Sequence, residues 1–95
     1  MKLALLAAMF ALGCDHRWPQ QTKDEFTMEC VLNNMRGGVA PLHAKFYCAC
    51  VADETERTHP VLWLDLPSTP ADEKFKADTS KLCTERTYVK YPEAQ

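Results

Sequence analysis

Glycine is scarce in this chain: three residues of 95 are too few for a Gly-rich, phosphate-cradling loop. A basic excess is also missing, because eleven Lys and Arg face thirteen Asp and Glu for a net charge of −2. Nothing in that balance neutralises a phosphate backbone, so nucleic acid is not an expected partner. Serine is nearly absent too. Ser68 and Ser80 both read as turn or cap residues, and no serine or cysteine nucleophile stands in a recognisable catalytic frame. There is no C-x-x-C-H, which excludes covalent haem. The longest apolar run, Leu3 to Leu12, is ten residues, about half of the ~20 a helix needs to span a bilayer. What the chain does have is cysteine, five in a length that holds one small domain.

The leader comes first. Residues 1–13, MKLALLAAMFALG, carry one charge, Lys2, ahead of the short apolar run and small residues. That outline is a secretory signal. Ala11-Leu12-Gly13-Cys14 then resembles the lipobox of bacterial lipoproteins, in which the Cys is thioether-linked to diacylglycerol and becomes the new N-terminus. By that resemblance Cys14 is the lipidation site and 1–13 a lipoprotein-type signal peptide. Asp15, directly after it, resembles an inner-membrane retention signal. Two or three acyl chains anchor a protein stably where one does not. Residues 14–21 read as a tether, and a mature part of about 80 residues is marginal for an unaided core.

Four cysteines remain: Cys30, Cys48, Cys50 and Cys83. An even number in an exported chain reads as two disulfides. Thr22-Lys23-Asp24-Glu25 has the form of a capping box and opens a helix. Phe26, Cys30 and Asn33 share one face of it, while Met28, Val31, Leu32 and Met35 form a broader one. Gly37-Gly38 ends it and Pro41 starts a second helix. There Leu42, Phe46, Cys50 and Val51 make an amphipathic stripe, and Asp53 and Arg57 stand at a favourable i,i+4 spacing. His59-Pro60 stops that helix. A third opens at Thr69-Pro70, with Asp72 at N3, and runs towards Cys83. The expected fold is therefore all-α, a disulfide-stapled helical hairpin or three-helix bundle over 22–86. Thr87–Pro92 alternates in a way that suits an extended tail, 87–95.

Cys48 and Cys50 are two residues apart and project about 200° from each other on a helix. One should staple the second helix to the first, the other to the third. Cys30 and Cys48 are level in a hairpin turning near residue 39, and Cys50 is offset by about 3 Å. The levels favour Cys30–Cys48 with Cys50–Cys83, and leave Cys30–Cys50 with Cys48–Cys83 as the close alternative. In the chain-entropy account such loops are worth roughly 3 to 4 kcal/mol each.

The sequence Phe26-x₃-Cys30, Ala44-x-x-Tyr47-Cys48-x-Cys50, Pro60 and Cys83 resembles a recurrent group of small exported bacterial helical proteins. The resemblance implies export, a helical fold and disulfides, and carries no activity. Val61–Pro67 departs from it in being strongly apolar. That stretch suits either a cap on the helical core or a contact patch.

Other chemistry is weakly marked. His43, Cys48 and Cys50 lack the paired spacing of a tetrahedral zinc site, His43 reads as an exposed helix residue, and no metal or cofactor is expected. Asp53-Glu54-Thr55-Glu56 lacks a cation loop's alternation and reads as a solvated face. The expectation is thus a non-enzymatic, lipid-anchored module of the bacterial envelope that binds a protein partner or helps an assembly. Trp63, Leu64, Tyr88 and Tyr91 are its candidate contacts. The alternative is an envelope thiol–disulfide or metal-handling protein using Cys48 and Cys50.

Overall fold

A computed structural model describes residues 17–92. All regular structure among them is helical: α1 (Gln20–Arg36), α2 (Pro41–Thr58), a short 3₁₀ helix (Val61–Asp65) and α3 (Pro70–Lys90). The central helix α2 packs against both α1 and α3.

Local chemistry sets most of the boundaries. The Gly37-Gly38 turn is a Schellman closure, in which Val39 N–H donates to Asn34 O (3.0 Å) and Gly38 N–H to Met35 O (3.0 Å). Gly38 takes φ = +96°, where a side chain is strained. Pro41 sits at the first position of α2, where a missing N–H costs nothing. His59, held extended ahead of Pro60, ends it. At α3 the capping box is complete: Asp72 N–H donates to Thr69 Oγ1 (3.1 Å) and Thr69 N–H to Asp72 Oδ2 (3.0 Å).

The core is built from small residues. Ala44, Cys48, Ala52 and Cys83 are fully enclosed, and Cys50 is buried beside them. The disulfides are Cys30–Cys48 and Cys50–Cys83, with Cα–Cα distances of 5.8 and 5.7 Å. Thr55 and Thr87 are buried too, and each hydroxyl donates to the carbonyl four residues back, Val51 (2.7 Å) and Cys83 (2.7 Å).

Several expectations need correction. The capping box at Thr22 does not form: α1 begins at Gln20 with Pro19 as its cap residue. Trp18 is no tether residue. It is only 3% exposed, its N–H donates to Glu56 (2.8 Å), its indole donates to the His59 carbonyl (3.0 Å), and its ring meets Phe26 edge-on. That docking, 38 residues away in sequence, fixes where α1 starts. Of the broader apolar face of α1, Met28, Leu32 and Met35 lie outward, because the Cys30 bridge turns Phe26 and Cys30 inward; Asn33 of the narrower face is exposed. Asp53 and Arg57 do not pair with each other. Lys23 on α1 takes Asp53 (2.7 Å) and Glu56 (2.9 Å), and Arg57 takes Glu54. The acidic run is therefore an ion-paired seam with Thr55 buried within it, not a solvated face. Residues 87–90 continue α3 instead of extending as a tail, and Ser80 lies mid-helix, neither turn nor cap. Cys14, Asp15 and the leader lie outside the described residues.

Candidate functional site: a cleft over the central helix

His43, Tyr47, Val51 and Thr55 recur every four residues along α2 and so line one face of it. Cys48 and Cys50 project to opposite flanks, where they hold α1 and α3 apart on either side of that face. The result is a cleft floored by α2, in two adjoining hollows that share Tyr47 and Ser80 as a common wall. The Tyr47 hydroxyl donates to Ser80 Oγ (3.0 Å) across that divide.

The first hollow, about 350 Å³, is aromatic, with Phe26 from α1, Tyr47 from α2, Trp63 from the 3₁₀ helix and Phe75 from α3. Its far wall is a ring stack: His59 lies 4.3 Å from Trp63 and 4.5 Å from Phe75, centroid to centroid. Trp63 and Phe75 meet edge to face at 5.9 Å. The Trp63 indole N–H donates to Asp72 Oδ1 (2.9 Å), so the carboxylate that caps α3 also fixes the ring. That bond, with the Thr69 backbone bond behind it, holds the Asp72 carboxyl below its usual range. Lys76 is the charged residue of this lining, with Nζ 5.9 Å from the Trp63 ring centroid.

The second hollow, about 200 Å³, is the more polar of the two, lined by Asn34, His43, Ser80, Thr84, Thr87 and Tyr88 among others. His43 is 5% exposed, not an exposed helix residue. Its Nε2 donates to the Tyr91 carbonyl (2.8 Å), while its Nδ1 is buried without a hydrogen-bond partner. The rings of Tyr88 and Tyr91 flank it at 5.8 and 5.4 Å, and Tyr91 also meets Phe46 edge-on at 5.7 Å.

Beyond the aromatic hollow, Glu56 accepts from both Lys23 and Trp18 N–H, and these bonds hold its carboxyl below the usual range. Glu54 is held low by Arg57 first and by Arg86 as well. Lys23 is pushed up by Asp53 and then Glu56.

Of the four candidate contacts, Trp63 and Tyr88 line the cleft, one in each hollow. Tyr91 instead closes over His43, and Leu64 is half-buried outside the cleft lining. The cysteines do not line it; they set its width. Cys48 and Cys50 each bond a different helix, so the C-x-C does not act as a dithiol pair. Among the described residues no group of three or more His, Cys, Asp or Glu side chains is placed to hold a metal ion. Phe26, Tyr47, Phe75 and Lys76 escaped the sequence reading as site residues. The signal for Tyr47 was present in the 43-47-51-55 register, which is as regular as the Leu42-Phe46-Cys50 stripe beside it.

The fold and cleft define a small three-helix protein stapled by two disulfides, and such bridges point to an oxidising, extracytoplasmic compartment. Comparison with protein-family models, with curated proteins and with solved structures finds no match.

Proposed function

We propose that the chain is a non-enzymatic, exported binding module of the bacterial cell envelope, cleaved before Cys14 and anchored there by lipid, that offers its cleft to a protein partner. The observation that carries the reading is the aromatic hollow. Four rings from four different elements converge on one open space, and concave, mostly apolar sites with a few fixed polar groups are where proteins bind. Aromatic side chains give large contact area at low entropic cost, which suits an apolar segment of a partner chain. The lipobox-like Ala11–Cys14 supplies the export and anchoring, and Asp15 favours the inner membrane. The thiol-redox alternative has no Cys48–Cys50 pair to act through.

The test is site-specific photo-crosslinking in the intact envelope of a Gram-negative host. A benzophenone side chain at Lys76, on the rim of the aromatic hollow, should capture a discrete partner. The same group at Ala49, exposed on the opposite side of α2, should not. Equal capture from both positions, or none from Lys76, rejects the cleft as the binding surface. Intact mass of the purified chain tests the anchor separately, through loss of residues 1–13 and gain of acyl mass.

A further inference from the structure

The chain enters the domain at one end of the bundle, and that end carries an apolar tip. Trp18 is bonded to the His59 carbonyl at 3.0 Å, and His59 stacks on Trp63 at 4.3 Å. The entry point at Arg17 therefore sits beside the α2–α3 connection. On that connection Leu62 is 70% and Leu66 62% exposed, and Pro60 and Pro67 on either side are exposed as well. Two large aliphatic side chains, one within the 3₁₀ helix and one capping it, are thus largely exposed, while Trp63 between them turns to Phe75.

The length of chain before the domain decides what meets this tip. Arg17 is three residue steps from Cys14, a reach of about 10 Å even when fully extended. A lipid on Cys14 brings the bilayer surface within that distance of Arg17, at the same end of the bundle as the tip, and the far end of the bundle stays remote from it. We propose that the Pro60–Pro67 tip, through Leu62 and Leu66, rests in the headgroup region of the bilayer and forms a second, non-covalent membrane contact that sets the domain upright on its anchor. The inference rests on the lipid-anchor reading. Both tryptophans of the chain lie at this end, Trp18 buried against Phe26 and Trp63 half-buried in the cleft wall, so they serve as reporters of the tip and not as its lipid contacts. The charged groups at this end are mixed: Arg17 and Lys76 are basic, while Asp65 lies between the two leucines, Glu56 holds Trp18, Asp72 holds Trp63 and Glu73 pairs with Lys76, so the contact rests on the leucines and not on net charge. An orientation fixed in this way points the Gly37-Gly38 turn and the C-terminal end of α3 away from the membrane.

The experiment uses the full-length chain made in a Gram-negative host and reconstituted into phosphatidylethanolamine–phosphatidylglycerol vesicles. Vesicle flotation and intact mass report the anchor. Quenching of tryptophan emission by lipids brominated near the headgroup reports the tip. The parent should float and be quenched. A Leu62→Asn/Leu66→Asn variant should float equally and lose at least half of the quenching. Leu32→Asn, exposed on α1 about 18 Å along the helix from its start, should keep it all. Circular dichroism and intact disulfides check that each variant is folded. A floating parent that is not quenched, or a double variant quenched as strongly as the parent, overturns the tip contact and leaves the anchor standing. A chain that carries no lipid and does not float overturns the anchor and the tip contact with it.

Discussion

Removing the Cys50–Cys83 bridge with a Cys50→Ala/Cys83→Ala variant should cost a large share of the whole stability. The bridge closes a separation of 33 residues, for which restricting the unfolded chain is worth about 3.7 kcal/mol. Cys50 and Cys83 are both buried, so deleting their sulfurs leaves voids that cost roughly 1 kcal/mol more. A domain of this size has a net stability of only about 4 to 11 kcal/mol. The remaining core offers little reserve, since apart from Trp18 and His43 its other buried members are alanines, half-cystines and threonines. The matching Cys30→Ala/Cys48→Ala variant closes a separation of 18 and should lose about 0.5 kcal/mol less from the loop contribution. Guanidinium unfolding followed by far-ultraviolet circular dichroism gives both numbers, and full reduction should abolish cooperative unfolding. A Cys50/Cys83 variant within about 1 kcal/mol of the parent would refute the argument that covalent loop closure, more than packing, holds this fold.

Three further outcomes follow from single contacts. Glu56→Gln removes the charge that Lys23 and the Trp18 N–H share and should cost about 1–3 kcal/mol, read as a lower melting temperature. Glu54 and Glu56 both titrate below the ordinary 4.5 in the folded protein, so their stabilisation is complete above that pH and disappears as pH falls through the lowered values. Melting temperature should therefore hold from neutrality to about pH 5 and drop below it, with a smaller drop in Glu56→Gln; a flat profile down to about pH 3 counts against the pairing. Gly38→Ala meets no atom within 4 Å but inherits φ = +96°, and should lose about 1 kcal/mol by thermal unfolding from backbone strain alone.

The parts of the fold that were legible in the sequence are those set by neighbours in the chain. Pro41, His59-Pro60 and the Thr69–Asp72 box bound their helices through local backbone chemistry, and two cysteines two residues apart on a helix leave few ways to bridge two flanks. What escaped was set at a distance. The start of α1 depends on Trp18 reaching Glu56, and Lys23 takes Asp53 away from Arg57, neither of which any local pattern contains. The end of α3 was misread because Tyr88-Val89-Lys90-Tyr91 alternates like a strand. Tyr88 is in the last turn of α3 and Tyr91 caps it, and the two close together around His43. The cleft was half legible: Trp63 and Tyr88 stood out as aromatics, while Phe26, Tyr47 and Phe75 acquire meaning only when three helices bring them to one space.

Two cysteines with a single alanine between them, each bound to a different helix, act as a lock on α2. Each bridge pins one level of α1 or α3 to the spine, so neither helix can slide a full turn along it without breaking a covalent bond. The architecture is thereby partly separated from the identity of the side chains that line the cleft. Side chains of the cleft lining that pack on nothing else carry correspondingly less of the fold, whereas Phe26 and Phe75 still hold Trp18 and His59 in place. At lining positions free of such contacts the domain is a ready carrier for a grafted paratope, with its hinges already welded.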